Sequence, residues 1–339
     1  MALLTALRAL SESSGFNFKF SVFHVEHGLR PPEESRGDAV FVLDFCGRNG
    51  IECKVRHIPR GKIVSYAKEN GTGIEAAARY FRHKALRREA LRQEQLSDYS
   101  DAQARKKAVI LLAHTKDDLL ETSLMRILRG AGPAGLSAMR PRNKCAGSGI
   151  GKRGTAAVKI ERPLLNMTRS DIENYLEAKN VSWREDSTNN DEKFFRNRIR
   201  HNLAPFLDKF FPQWKTGVSA LGETQSLVND FILHETKNRI KWEEDSNNKF
   251  LTTDEMNFLS QPRIIREEAV FCGINILFSG KKFLSKSVKR SVIRRFCKGS
   301  VNAADLGLAG IRRGEGKIFL SCKQKDVFER GISRLILNR

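Results

Sequence analysis

Ala108–Thr122 reads AVILLAHTKDDLLET, an unbroken apolar run that passes without glycine or proline into a cluster of acids and then into a helical pattern. A continuous apolar run suits a strand covered on both faces, as in parallel sheets. The pattern from Asp117 to Leu128 has helical spacing. A strand feeding a helix is half of a βαβ unit, so the stretch predicts a parallel, doubly wound α/β sheet. In such sheets ligands collect beyond the carboxyl ends of the strands, which is where HTKDD stands.

The flanking chain repeats the alternation. FKFSVFHV (Phe18–Val25) is a short β-rich run, and IECKVRHI (Ile51–Ile58) sets Ile51, Cys53 and Val55 against Glu52, Lys54 and Arg56 with the period of a strand. Helical patterns cover Glu33–Arg48, ending near Gly50, and Ile74–Leu96. The polar segments HVEHGLRPP and PRGK follow the first two strands, so three mouths point to one crevice. At the start, MALLTALRAL carries Leu3, Leu4, Leu7 and Leu10 on one helical stripe, with nothing ahead of it to cap the first N–H groups.

Downstream, RNKCAGSGIGKRGT (Arg142–Thr155) reads as a mobile, basic surface loop, and its spacing is not that of GxxxxGK[ST]. Thr168 reads as an N-cap with Asp171 at N3, and Ile172, Tyr175 and Leu176 form the apolar side of that helix. WREDSTNND and FFRNRIRHNLAPFL come next, then a helical region to about Lys241. KKFLSKSVKRSVIRRF (281–296) marks a separate basic unit.

With 60 Lys+Arg against 39 Asp+Glu and a formal net charge of +21 over 339 residues, a polyanion is the expected partner, nucleic acid foremost. Six scattered cysteines without a CxxC read as reduced thiols of a cytoplasmic protein. No stretch has the apolar length of a membrane span. A homodimer is left open.

Asp117, Asp118 and Glu121 open the helix after the buried strand, and 118 and 121, three apart, share a face. One acid there is explained by the helix dipole, three are not. Two convergent carboxylates suit a hydrated Mg²⁺ or the ammonium of a bound amine that they later help deprotonate. His24 and His27, with Gly28, occupy the first strand's mouth; HxxH lacks further ligands for zinc, so hydrogen bonding to a ligand or loop is the reading preferred. Arg79 and Arg82 stand one turn apart, suited to phosphate or to a solvated basic face. Arg196, Arg198, Arg200 and His201 make a cationic patch suited to an RNA backbone, and Trp183, Phe194 and Phe195 beside it read as core more than as stacking groups.

HVEHGLRPPEE, GIEAAARYFRHKAL, LLAHTKDDLLETSLMRILRGAGPAGLSAM, RPLLNMTRSDIENYL and WREDSTNNDEKFFRNRIRHNLAP, in this order, resemble the tRNA(Ile)-lysidine synthetase family of ATP pyrophosphatases over about residues 1–210. The resemblance implies an adenine nucleotide alpha hydrolase-like domain over 1–165, a helical linker and tRNA-binding region over 166–244, and a smaller basic C-terminal domain over 245–339. It implies ATP and Mg²⁺ as cofactors, and free L-lysine and a CAU-anticodon tRNA(Ile) as partners. It implies that the base is adenylated through its C2 oxygen with loss of pyrophosphate, and that lysine then attacks C2 as AMP leaves, giving lysidine. Asp118, Glu121 and Asp117 would be catalytic; His24, His27, Gly28, Arg79, Arg82 and His114 would bind ATP; Arg126, Arg129, Arg196, Asn197, Arg198 and Arg200 would bind tRNA. The sequence departs from the family in Glu26, Thr115 and Leu119, and Met1 falls just past the place of the family's SGGxDS loop. A start codon assigned too late is the expected reason, with a catalytically impaired tRNA-binding protein or a thiolating relative as the alternatives.

Overall fold

The computed structural model describes residues 1–15, 18–96, 107–137, 139–145, 158–185, 192–245, 250–278, 288, 290–307 and 309–322. The chain divides into two compact units, with α-helix and β-strand alternating through most of the first and a boundary between Ala220 and Leu221.

The order of elements is α1 (Ala2–Glu12), β1 (Val22–Glu26), α2 (Pro32–Arg48), β2 (Cys53–His57), α3 (Lys62–Glu69), α4 (Ile74–Leu96), β3 (Val109–Leu111), α5 (Lys116–Ile127), the single turn α6 (Pro133–Leu136), β4 (Arg142–Cys145), β5 (Val158–Glu161), α7 (Arg169–Ala178), α8 (Phe195–Arg198), a π-helical segment Ile199–Leu203, α9 (Ala204–Phe210) and α10 (Trp214–Arg239). β1 and β2 pair in parallel from Val22↔Cys53 to Glu26↔His57, with α2 as the crossover. β3 pairs in parallel with β5, and β4 adds an antiparallel edge to β5. The fold is the α/β architecture that the strand–helix alternation predicts.

Two local expectations are corrected. Arg142–Cys145 is not loop but strand, paired from Arg142↔Glu161 to Cys145↔Val158. An edge strand needs only its backbone groups to be paired, so its polar composition hides it from a hydrophobicity reading; the rest of that predicted loop lies outside the described residues, as do 281–287 of the basic stretch. β3, expected to be covered on both faces, is covered on one. Ile110 packs with Ala90, Val158 and Ile160, whereas Val109, on the opposite side by strand alternation, is 42% exposed.

α5 and the α8–π segment meet through faces of matching character. On α5, Asp118, Glu121, Leu124 and Met125 recur at helical spacing; on the partner, Arg196, Ile199, Arg200 and Leu203 do the same. Leu124, Met125 and Ile199 bury together, with Phe195, Leu203, Leu207 and Trp214 around them. The apolar halves hold the two segments in contact, and the charged halves are thereby brought face to face.

The second unit places β6 (Glu243–Glu244), β7 (Phe250–Asp254), β8 (Ala303–Asp305), β9 (Ala309–Gly314) and β10 (Lys317–Cys322) in an antiparallel sheet of order β6-β7-β10-β9-β8, accompanied by α11 (Glu255–Ser260), α12 (Arg263–Leu277) and α13 (Arg290–Cys297). Phe258, Ile274, Phe296, Ile311, Ile318 and Leu320 are its core. β9 and β10 are joined by Glu315–Gly316, both at positive φ (54° and 69°), the twist that a two-residue hairpin demands. Gly273 lets α12 approach the sheet: a Cβ there would stand 2.6 Å from Leu320 Cδ2 and 2.9 Å from Trp242 Cε2. Leu320 has no exposed surface and the Trp242 indole is tied to the Ala269 carbonyl at 2.8 Å, so neither yields easily. Gly273→Ala is therefore expected to destabilise the second unit by about 1–2 kcal/mol, overpacking outweighing the gain in helix propensity. A lower denaturation midpoint checks it.

No described helix is long and apolar enough to cross a membrane.

Candidate active site

Two helix N-termini are stitched together at the mouth of β3. On α5, the Asp118 N–H donates to Thr115 Oγ1 (3.3 Å) while Asp118 Oδ2 accepts from the Thr115 N–H (2.8 Å), a reciprocal cap. On α7 the predicted box is present, with the Asp171 N–H donating to Thr168 Oγ1 and the Thr168 N–H to Asp171 Oδ2. Asp117 joins them: its Oδ2 accepts the Arg169 N–H at 2.7 Å. The Thr115 cap, a T-x-x-D pattern visible in HTKDD, is absent from the sequence reading, which treats Thr115 only as a departure from the family.

Asp118 and Glu121 do converge, and both meet guanidinium groups. Arg196 donates through Nη2 to Asp118 Oδ1 (2.5 Å) and through Nε to Glu121 Oε2 (2.6 Å); Arg200 donates through Nε to Glu121 Oε1 (2.6 Å) and through Nη2 to Oε2 (3.1 Å). Glu121 is 6% exposed. Burial opposes the Arg196 charge, but Glu121 and Asp118 outweigh it and hold its pKa above the ordinary value. Arg196 and Arg200, read from sequence as groups for an RNA backbone, thus face carboxylates of α5. Asn197 between them is buried, whereas Arg198 is exposed and, with Arg129, lies over the Phe195 ring at 5.4 and 5.1 Å. Phe195 joins the core; Phe194 is 46% exposed. Asp117, Asp118, Glu121, Arg200 and Asp208 line a cavity of about 440 Å³.

On the other side of Asp118 is a group of a different kind. β1, parallel to β2, delivers His27 just beyond its carboxyl end, the parallel pair β3 and β5 deliver His114 and Arg162 beyond theirs, and α4 adds Arg82 and His83. Five buried nitrogens here have no hydrogen-bond partner among the described residues: His27 Nδ1, Arg82 Nε, His83 Nε2, His114 Nδ1 and Arg162 Nε. Burial first, and neighbouring arginines second, press His27 and His83 down to about 4; His114 is also pressed to about 4 by burial and Arg162, against the pull of Asp118. Burial lowers His24 as well, against Asp38 and Glu26. Arg82 is lowered by burial and by Arg79 and Arg196, and Arg126 by burial, Arg79 and Arg129. Gly28 is required where it stands: φ is +62° and a Cβ would lie 2.7 Å from the Ile58 carbonyl oxygen.

His83 and Arg162 are missing from the sequence reading. Arg162 follows β5 as His114 follows β3, and reading 158–161 as a strand would have exposed it. His83 is four residues from Arg79, with no local signal to distinguish it.

Buried, unpartnered nitrogens are costly unless a ligand satisfies them, and donors backed by guanidinium charge suit the phosphates of a nucleotide. A metal finds no comparable provision: among the described residues no three His, Cys, Asp or Glu side chains gather for an ion, and Asp118 and Glu121 face arginines. The suppressed histidines give a signed pH dependence. An ordinary imidazole titrates near 6.5 and these near 4, so the unfolded chain takes protons first as pH falls, and the first unit should lose stability between pH 6.5 and 4. A bound polyphosphate favours the protonated rings, so its affinity should rise as pH drops from 7 to 5. Thermal midpoints and calorimetry in buffers of differing ionisation enthalpy read both.

The PP-loop domain model matches residues 1–207. A tRNA(Ile)-lysidine synthase of Treponema denticola is 35% identical over 289 residues, 85% of this chain and 56% of the relative; one of Solibacter usitatus is 33% identical over 304 residues, 89% and 56%. The chain spans about half the length of these curated relatives. Among solved structures, the U34-tRNA thiolase NcsA from Methanococcus maripaludis matches at a TM-score of 0.47 and 14% identity, covering 66% of this chain and 67% of that one, a likeness too slight to bear on chemistry. By the match over its first 207 residues the chain belongs to the PP-loop family, and within it is similar to the tRNA(Ile)-lysidine synthases.

Proposed function

We propose that this chain catalyses the ATP-dependent joining of free L-lysine to C2 of the wobble cytidine in CAU-anticodon tRNA(Ile), forming lysidine. The observation that carries the proposal is the meeting, at Asp118, of a cavity whose lining sets four carboxylates (Asp117, Asp118, Glu121 and Asp208) beside Arg169, Arg200 and Lys215 with a cluster of cation-backed nitrogens that have no partner among the described residues. One half suits an amine and the other a polyphosphate, the two charged reactants of such a ligation.

ATP supplies the activating group: the base's O2–Pα bond forms as the bond from Pα to the β-phosphate oxygen breaks, its electron pair leaving with pyrophosphate. Arg82, His27 and His114 hold phosphate oxygens and face away from bulk water. Lysine enters the 440 Å³ cavity with its ε-ammonium toward Asp118 and Glu121. Because Arg196 already bonds both carboxylates, the incoming ammonium competes with it, so amine binding and displacement of Arg196 are one event. Asp118 takes a proton from the ammonium, the freed amine attacks C2, and the C2–O2 bond breaks with its electron pair leaving on AMP. Arg129 and Arg198, exposed around Phe195, and Arg126 serve the tRNA.

Incubating the chain with ATP, labelled lysine and a CAU-anticodon tRNA(Ile) transcript should release pyrophosphate and place lysine in the RNA. Pyrophosphate release without lysine uptake, but with thiolation when a sulfur donor is added, would favour the thiolating alternative; tRNA binding with no turnover would favour the impaired one.

A further inference from the structure

The acid-lined cavity carries a second charged pair, away from Asp118 and Glu121 in the chain. Asp208 on α9 and Lys215 on α10 line it together, with Lys215 Nζ 2.9 Å from Asp208 Oδ1 and 3.1 Å from Oδ2. The Trp214 indole N–H donates to Asp208 Oδ1 at 2.8 Å, and its ring packs against the cluster of Leu124, Met125 and Ile199. Asp208 is thus held in place by a side chain anchored in the core. A staple for the α9–α10 corner needs only that acceptor for the indole; it does not need an ammonium beside it. The other arginine and lysine side chains of the lining are engaged by carboxylates elsewhere, Arg200 by Glu121 at 2.6 Å and Arg169 by Glu173 at 2.7 Å and Glu185 at 3.0 Å. Asp208 and Lys215 are both half-exposed, and neither is saturated: an ammonium has three donors and a carboxylate about four acceptor positions, of which these contacts use only part. The chain runs as continuous helix from Arg200, which holds Glu121, to Asp208, a rise of about 12 Å. An extended lysine with a hydrogen bond at either end spans a similar length.

We propose that Asp208 and Lys215 form a clamp for the α-ammonium and α-carboxylate of the amino acid whose ε-ammonium lies at Asp118 and Glu121, and so select a free α-amino acid over simple amines. The clamp rests on the reading above for the direction in which the amine lies in the cavity. The substrate joins the Asp208–Lys215 pair: its carboxylate accepts from Lys215 Nζ, its α-ammonium donates to Asp208, and four alternating charges close a ring to which no net charge is added. Asp208, tied to Trp214, stays where it is, so the cost of ordering falls on the Lys215 side chain. A lysine inside a polypeptide, whose α-groups are amides, finds no such partners, which keeps protein-bound lysine from competing. No bond is made or broken at this end of the cavity.

Calorimetry of the full chain with three ligands is the test: L-lysine, 1,5-diaminopentane, which lacks only the carboxylate, and 6-aminohexanoate, which lacks only the α-ammonium. L-Lysine is expected to bind at least about tenfold tighter than either. Lys215→Met should lower the affinity for lysine to that for the diamine, while the diamine binds no more weakly than before. Asp208→Asn keeps an oxygen for the Trp214 N–H and should bring lysine down to 6-aminohexanoate; Lys215→Arg should restore part of the preference for a carboxylate. An unaltered chain that does not bind L-lysine, or that binds the diamine equally well, overturns the clamp, as does a Lys215→Met variant with its preference intact. Should a variant fail to fold, the three ligands on the unaltered chain decide. Lys215-dependent lysine binding in a chain that makes no lysidine leaves the clamp standing and removes the ligase reading; lysidine synthesis by Lys215→Met with an unchanged KM for lysine does the reverse.

Discussion

Asp118→Asn is expected to lower lysine incorporation at least about a hundredfold while tRNA affinity stays within about twofold. The substitution is chosen for what it preserves. An Asn side-chain oxygen still accepts the Thr115 N–H, so the cap on α5 and the position of the helix survive. What disappears is the negative charge that faces Arg196 and, in the proposed reaction, the group that draws the ammonium and receives its proton. Labelled-lysine incorporation beside filter binding of the tRNA separates the two effects. Full turnover in the variant would remove Asp118 from the chemistry, whereas loss of tRNA binding would show that the residue supports the RNA surface instead.

Glu121→Ala is expected to cost about 3–5 kcal/mol of stability in the first unit, far more than a surface ion pair. Glu121 is buried and accepts from Arg196 at 2.6 Å and from Arg200 at 2.6 and 3.1 Å. Removing the carboxylate leaves two half-buried guanidinia beside Leu124, Met125 and Ile199, of which Arg196 keeps its bond to Asp118 and Arg200 keeps no carboxylate among the described residues. Urea denaturation reads the loss directly. A double-mutant cycle with Arg200→Met refines it: taking away Arg200 as well should recover part of the stability, because the penalty lies in the charge left behind. If Glu121→Ala shifts the midpoint by no more than an exposed control such as Glu12→Ala, the network contributes little to the fold.

The sequence made the outline of the first unit visible wherever apolar period and polar ends coincide. FKFSVFHV covers β1 but for its last residue, IECKVRHI and AVILLAH contain β2 and β3; Glu33–Arg48 and Ile74–Leu96 fall on α2 and α4; Thr168 and Asp171 cap α7 as their spacing requires. β4 was illegible because an edge strand is defined by backbone pairing that leaves no imprint on side chains. The union of Arg196 and Arg200 with Glu121, some 75 and 79 residues away, was equally hidden: a cationic run looks alike whether it faces solvent or a distant carboxylate. The five unpartnered nitrogens come from four separate stretches of chain, and only folding reveals that none of the described residues satisfies them. The second unit offered charge and no period long enough to announce its sheet.

The tie between α5 and α7 has an evolutionary corollary. Asp117 grips the main-chain amide of residue 169 and ignores what that residue displays. Position 169 is therefore open to drift through nearly the whole amino-acid alphabet without loosening the junction, proline alone being barred for want of an N–H. Position 117 has no such latitude, so the two ends of one bond are set to diverge at very different rates.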